Sequence, residues 1–326
     1  MRGEAPDAWG EHMRSGDFAA AWRICDRMLD SRRGQSCTHL PRHQQWVWDG
    51  SPIDDRDVLV RCYHGLGDTI QFARFLPMVC ARARSVTVWA QPRLIPLLGM
   101  LQSGSGIRDS GSVASEVFES RTPNPESRMR ILPLHDGEVG IEHNVDVEIM
   151  ELPHVFRTTV ETLPTAVPYF SVDPMTLVRN CRPAIGLVWR AGEWDAQRSI
   201  PFAALTPLLE VDADWYVLQG ADTLDDRPRG FGIPVGTNDI VEAAAAMRAL
   251  DLVITIDSMT AHLAGALGAQ VWTLLPRDAD WRWMNKRDDS PWYPTMRLFR
   301  QPSPADWGCV IARVARELPR WATKRD

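Results

Sequence analysis

The spacing of hydrophobic positions changes period repeatedly along this chain. After Gly16-Asp17, the apolar residues Ala20, Ala21, Ile24, Cys25, Met28 and Leu29 recur at helical spacing, so residues 1–35 predict two short helices broken at that dipeptide. Residues 57–62 are a short apolar run, followed by the turn Tyr63-His64-Gly65-Leu66-Gly67-Asp68 and a helical stripe of Ile70, Phe72, Ala73, Phe75 and Leu76. Residues 85–90 alternate and are rich in β-formers, which predicts the next strand, and Pro92 opens another helix. Further strands are expected over 130–134 and 145–149, whereas 102–130, rich in Ser, Gly and Arg, predicts no definite element. Four prolines between 164 and 183 mark an interdomain linker.

The second half repeats the alternation. Strands are expected over 184–189, 215–218, 252–256 and 271–275, and helices over 201–209, 240–250 and 261–267. A last helix is expected to start at Ser303-Pro304-Ala305-Asp306, with the N-cap, first-turn proline and acidic residue of a capped terminus. Strand–helix alternation builds parallel sheets, and ligands of such sheets bind beyond the carboxyl ends of the strands. The expected organisation is a helical hairpin over 1–45 and α/β domains over 46–170 and 171–326. The two sheets face a cleft, and the last helix packs back on the N-terminal domain. The hairpin resembles a single tetratricopeptide repeat, which cannot stack by itself and is expected to rest on the next domain.

Composition narrows the chemistry. The 326 residues carry a net charge of −6 and no basic run, which argues against a nucleic-acid partner. None of the six cysteines is spaced as CxxC, so no zinc site is expected. The N-terminus lacks the apolar run of a signal peptide, and no stretch is apolar for long enough to span a bilayer. The expected location is the cytoplasm, with peripheral membrane contact left open.

Two segments carry candidate chemistry. In Ile254-Thr255-Ile256-Asp257-Ser258-Met259-Thr260-Ala261-His262, a strand ends, small hydroxyl residues turn the chain and a helix begins. The unpaired amides at such a helix start suit a diphosphate; the alternative is an ordinary turn with Ser258 or Thr260 as cap and His262 packed. In Gly65-Leu66-Gly67-Asp68, glycines allow a close backbone approach and Asp68 heads a helix, either as a proton-accepting group or as a cap. Ile70 stands where a dinucleotide fingerprint needs its third glycine.

These segments resemble those of glycosyltransferase family 9, the heptosyltransferase-like family. The motif after Ile254 continues into Val271-Trp272-Thr273-Leu274-Leu275-Pro276. Trp48-Asp49-Gly50-Ser51-Pro52, Gly65 to Phe72, Arg198-Ser199-Ile200-Pro201 and Ser290-Pro291-Trp292-Tyr293-Pro294 resemble the branch of that family associated with tetratricopeptide repeats. The resemblance runs from about Trp46 to Leu318. It implies the GT-B fold of two Rossmann-like, doubly wound domains. It also implies transfer of a sugar, heptose being one candidate, from a nucleoside diphosphate to a hydroxyl of a glycan, lipopolysaccharide or protein. Asp68 is then the general base of an inverting reaction. Gly65, Gly67, Trp189, Arg190, Arg198, Gln219, Asp257, Ser258, Met259, Thr260 and His262 are the expected donor contacts, and His64, His154, Trp281 and Trp283 the candidate acceptor contacts. Asp222 is either a ribose contact or a solvated acid.

No cofactor and no metal are expected. Asp212-Ala213-Asp214 and Asp278-Ala279-Asp280 have the spacing of a metal-binding pair, but they predict turn acids, since the arginines and the helix start already supply positive charge. Trp281 and Trp283 predict either a sugar-stacking platform or interdomain packing. A nucleotide-sugar epimerase or hydrolase of the same fold, and a nucleotide-sugar-binding scaffold without turnover, are the alternatives to a transferase.

Overall fold

The computed structural model describes residues 7–101, 129–137, 140–180, 182–192, 196–220, 228 and 230–323. Helices α1 (Ala8–Ser15) and α2 (Phe18–Arg32) form the expected hairpin. Gly16 closes α1 at φ +84°, a left-handed conformation that glycine adopts without strain. The chain then divides into two compact units, one of Asp26–Phe156 and one that joins Met1–Cys25 to Arg157–Asp326, so the division falls inside α2.

The Asp26–Phe156 unit holds β1 (Asp57–Arg61), α3 (Leu66–Phe72), α4 (Leu76–Arg82), β2 (Ser85–Ala90), α5 (Ile95–Leu98), β3 (Met129–Pro133), β4 (Val145–Glu148) and α6 (Leu152–Val155). Its sheet is parallel throughout, in the order β3-β2-β1-β4. The centres of β1 and β2 are buried, as the apolar runs require of strands covered on both faces.

The discontinuous unit holds β5 (Ala184–Leu187), α7 (Thr206–Leu209), β6 (Asp214–Val217), β7 (Ile233–Pro234), α8 (Ile240–Ala249), β8 (Leu252–Ile256), α9 (Met259–Ala266), β9 (Val271–Leu275), β10 (Met296–Arg300) and α10 (Trp307–Thr323). Its six strands are parallel in the order β10-β9-β8-β5-β6-β7, the doubly wound arrangement in which the first strand lies at the centre. In both sheets the strand order reverses beside the first strand, at β1/β4 and at β5/β8.

Three expectations are corrected here. The last helix begins at Trp307, with Asp306 Oδ1 accepting the Cys309 amide at 3.0 Å, so Pro304 lies outside its first turn. Its apolar stripe of Val310, Ile311, Val314 and Leu318 enters the core of the discontinuous unit beside Leu205 and Phe299. The proline-rich segment is no free linker, because Tyr169 N–H donates to Ala266 O and Met175 N–H to Ala245 O. The helix expected over 201–209 is a 3-10 turn, Phe202–Leu205, followed by the single turn α7. Strands β7 and β10 had no sequence expectation. Residues 102–128 lie outside the described residues.

The hairpin as far as Cys25 belongs with the discontinuous unit. Phe18, 1% exposed, stacks on Trp292 at 6.1 Å, and Trp9 packs edge-on against Trp281 at 5.4 Å. Trp22 Nε1 donates to Thr158 O at 2.6 Å, and Asn285 N–H donates to Arg14 O at 2.8 Å. Trp9 of α1 and Phe18 at the start of α2 thus find aromatic partners in tryptophans that follow β9.

Candidate active site

In the discontinuous unit, the loops after β5 and β8 meet where the strand order reverses, the place at which an open parallel sheet presents ligand-binding loops. The loop after β8 is Asp257-Ser258. Ser258 is extended (φ −157°, ψ 176°) and occupies the N-cap position of α9, but its side chain makes no capping hydrogen bond. Its Oγ is buried without a partner. The first-turn amides of α9 therefore lack the side-chain cap that a serine in this position usually supplies. Met259 and Thr260 form that first turn, with Thr260 buried. One turn on, His262 is buried, its Nδ1 3.0 Å from Tyr293 Oη and its ring stacked 5.2 Å from Trp283. Gly265 makes this packing possible, since a Cβ there would sit 2.6 Å from the Tyr293 ring.

Charge collects at the same edge. Arg198 Nη1 donates to Asp257 O at 3.0 Å and lies 3.6 Å from the Asp257 carboxylate. Asp280 caps the short turn Trp281–Trp283 by accepting the Arg282 amide, and it also accepts Arg282 Nη1 at 2.7 Å. Burial pushes the Asp257 carboxyl up to about 6; Arg198 opposes the shift and Asp280 adds to it. Because the folded value lies above the ordinary 3.8, the stabilising contribution is present below that value and is lost as pH rises through 6. The size is about 3 kcal/mol. Asp257→Asn removes the titration, so the melting temperature of the variant minus that of the wild type rises between pH 4 and 7. A difference that stays flat across that range contradicts the buried-carboxyl account.

The loop after β5 contributes Trp189 and Arg190. Gln219 Oε1 accepts the amides of Arg190 and Trp189 at 3.0 and 3.3 Å, and its Nε2 donates to Arg190 O at 3.2 Å. Gln219 thus shapes the loop, and Trp189 is fully buried against Phe202. Of the expected donor contacts on these strands, these two form the scaffold, while Arg190 is half-buried on the loop. Asp222 lies outside the described residues.

The Asp26–Phe156 unit has its own switch point. Gly65 is the N-cap of α3 in extended conformation, and Asp68 Oδ2 accepts the Gly65 amide at 2.8 Å. Neither Gly65 nor Gly67 has positive φ. A Cβ at Gly65 would sit 3.1 Å from Asp68 Oδ2, so a larger residue there would press on the Asp68 carboxylate. The turn is held by residues that sequence reasoning missed. Gln91 Nε2 donates to His64 O at 2.8 Å and its Oε1 accepts Thr69 Oγ1 at 3.0 Å. Glu148, buried at the end of β4, accepts the Tyr63 amide at 3.1 Å and lies 3.1 Å from His64 Nδ1. Both stand at or just beyond strand ends, so the carboxyl-end rule applied to β2 and β4 was the available signal.

The structure engages three of the four candidate acceptor residues in packing. His154 is buried, with Nε2 2.9 Å from Asp26 Oδ1 and its ring edge-on to Trp48. Trp283 is fully buried under His262 and offers no face to a sugar, and Trp281 packs between Trp9 and Trp292. His64, on the Gly65 turn, keeps 28% of its side chain exposed. The two Asp pairs do not converge on a metal site: Asp214 accepts Asn180 N–H at 2.7 Å, and Asp280 is spent as above. Among the described residues, no group of three or more His, Cys, Asp or Glu is placed to hold a metal ion.

No family model matches the chain. In sequence it is similar to Protein FlbA of Caulobacter vibrioides, 24% identical over 324 residues, which cover 90% of this chain and 52% of FlbA. The chain thus spans about half the length of that curated relative. In structure it is similar to the ADP-heptose lipopolysaccharide heptosyltransferase II of E. coli, with TM-score 0.52 and 13% identity, over 82% of this chain and 99% of that one. It is also similar to the bacterial iron-containing dodecameric glycosyltransferase TibC from enterotoxigenic E. coli H10407, with TM-score 0.50 and 11% identity, over 83% of this chain and 78% of that one. The chain has the α/β fold of these GT-B glycosyltransferases, with a parallel, doubly wound sheet in each unit.

Proposed function

We propose that the protein is a glycosyltransferase that takes a sugar from a nucleoside diphosphate bound in the discontinuous unit, with Asp68 as the base that receives the proton of an acceptor hydroxyl. The observation that carries the nucleotide assignment is the uncapped start of α9. Its amides and the buried, unpartnered Ser258 Oγ stand beside the guanidinium of Arg198. An anion there gains hydrogen bonds from donors that are otherwise unsatisfied, together with the favourable end of the helix dipole. The solved heptosyltransferase of similar fold has ADP-heptose in its name, which makes ADP and ADP-heptose the first ligands to try. The acceptor is a hydroxyl compound, glycan, lipopolysaccharide or protein, consistent with a base at the Gly65 turn. No helix of the described residues is long and apolar enough to cross a bilayer.

The test is a calorimetric titration with ADP, GDP and UDP, with and without EDTA. One of the three is expected to bind the wild type and to bind Ser258→Ala about tenfold more weakly, the loss of one hydrogen bond. Chelation is expected to leave that affinity unchanged, because guanidiniums and amides supply the positive charge. Binding of none of the three refutes the reading, and affinity that appears only with magnesium or manganese refutes the metal-free part.

A further inference from the structure

The end of β10 brings a residue to this edge that neither the turn motif nor the family resemblance singles out. Register fixes its place. Arg300 pairs with Leu275, and Ile256 pairs with Leu274, so Asp257 and Arg300 stand in one row at the carboxyl edge with β9 between them. Strands lie about 4.8 Å apart, so the two backbones are roughly 10 Å apart, a span that an arginine side chain largely bridges. The two ends of the Arg300 guanidinium have different surroundings. Nη2 donates to the carbonyls of Trp283 and Met284, which fixes the turn that carries Arg282. Nη1 is buried and has no hydrogen-bond partner.

Burial lowers the pKa of Arg300 from its ordinary value, and the charges of Asp257, Asp288 and Asp278 pull the other way. None of the three acids makes a hydrogen bond to Nη1, so the charge is balanced at a distance while one donor stays unsatisfied. A buried, unsatisfied donor on a cation is costly, and an anion that reaches it removes that cost. Ser258 Oγ is another buried, unpartnered atom of this edge, at the start of α9 beside Asp257. With Arg198 and Arg282, Arg300 brings the guanidiniums near Asp257 to three, and the carboxylates of Asp257, Asp278, Asp280 and Asp288 act on the same group.

We propose that Arg300 is a further binding residue for the nucleotide, its Nη1 donating to the terminal phosphate of the diphosphate whose other oxygens meet Ser258 and the first turn of α9. This rests on the reading of the site as a nucleoside-diphosphate site. It assigns Arg300 two tasks: Nη2 holds the Trp283–Met284 turn, and Nη1 grips the phosphate that leaves with the nucleotide when the sugar is transferred.

The experiment compares each diphosphate with its monophosphate: ADP with AMP, GDP with GMP and UDP with UMP, by calorimetry on the full chain. Arg300→Met removes both guanidinium ends, and Arg300→Lys keeps the charge but not the fork. For the pair that binds, Arg300→Met is expected to weaken the diphosphate 10- to 100-fold and to change the monophosphate by less than threefold. Arg300→Lys is expected to fall in between, and it keeps the test decisive if the Met variant does not fold. Equal weakening of both nucleotides by the variants assigns Arg300 to the turn alone and overturns the proposal, as does no weakening of either. If no diphosphate binds the wild type, the nucleotide reading itself falls and this proposal falls with it; a diphosphate that binds wild type and variants alike sinks only the role of Arg300.

Discussion

Asp68→Asn is expected to slow sugar transfer about 10²–10⁴-fold, the usual worth of a general base. The substitution keeps the shape of the group and can keep its structural bond, because an asparagine carbonyl accepts the Gly65 amide much as Asp68 Oδ2 does. What it removes is the capacity to take a proton. An acceptor hydroxyl that attacks the anomeric carbon must release its proton as the bond to the nucleoside diphosphate breaks. Without a base that proton remains, and the nucleophile stays weak. Affinity for the diphosphate is expected to hold within a few fold, since Asp257, Ser258 and Arg198 belong to the other unit. The measurement pairs steady-state turnover of the sugar nucleotide with calorimetric diphosphate binding on the same preparation. A folded Asn variant that binds the diphosphate and transfers sugar at the wild-type rate makes Asp68 a helix cap only.

The second large effect is on stability. Phe18→Ala is expected to cost about 3–5 kcal/mol, the range for removing a buried aromatic ring. Phe18 is 1% exposed, stacked on Trp292 and tilted against Trp22. The cost is assigned to the discontinuous unit, although Phe18 lies far from residue 157 in sequence. Such a loss lowers the melting temperature of a unit of this size by roughly 6–20 °C. Hydrogen exchange read peptide by peptide checks the assignment: faster exchange is expected in the core strands β8 and β9, with β1 and β2 unchanged. Faster exchange confined to residues 8–32 makes the hairpin an appendage and contradicts the assignment.

The alternation of apolar periods was enough to place the central strands of both sheets, because a strand covered on both faces must be apolar along its length. The turn at Asp257-Ser258 and the helix start at Asp68 were also legible, being local: a few consecutive residues determine where a helix begins and which amides it leaves open. What stayed hidden was long-range. Phe18 at the start of α2 is one more apolar residue in the sequence, and nothing in the helical period names Trp292 as its partner. The stripe of α10 likewise fits any apolar surface, and its place beside Leu205 and Phe299 follows from sheet order rather than from the helix. Glu148, Gln91 and Arg300 each look like ordinary polar residues until register puts them at a carboxyl edge. Trp281 and Trp283 left two readings open in the sequence, a sugar platform or packing, and it is register and fold that put Trp281 against Trp9 and Trp283 against His262.

The split of one unit across the chain has a consequence for its synthesis. A ribosome releases Ala8–Cys25 long before Arg157–Asp326, and Asp26–Phe156 can collapse around its own sheet as soon as it emerges. Trp9 and Phe18 must meanwhile wait for Trp281 and Trp292, a delay on the order of ten seconds at elongation rates of roughly 5–20 residues per second. Throughout that interval the nascent chain carries an apolar helix face without its partner, which makes the hairpin the segment most in need of a chaperone during translation.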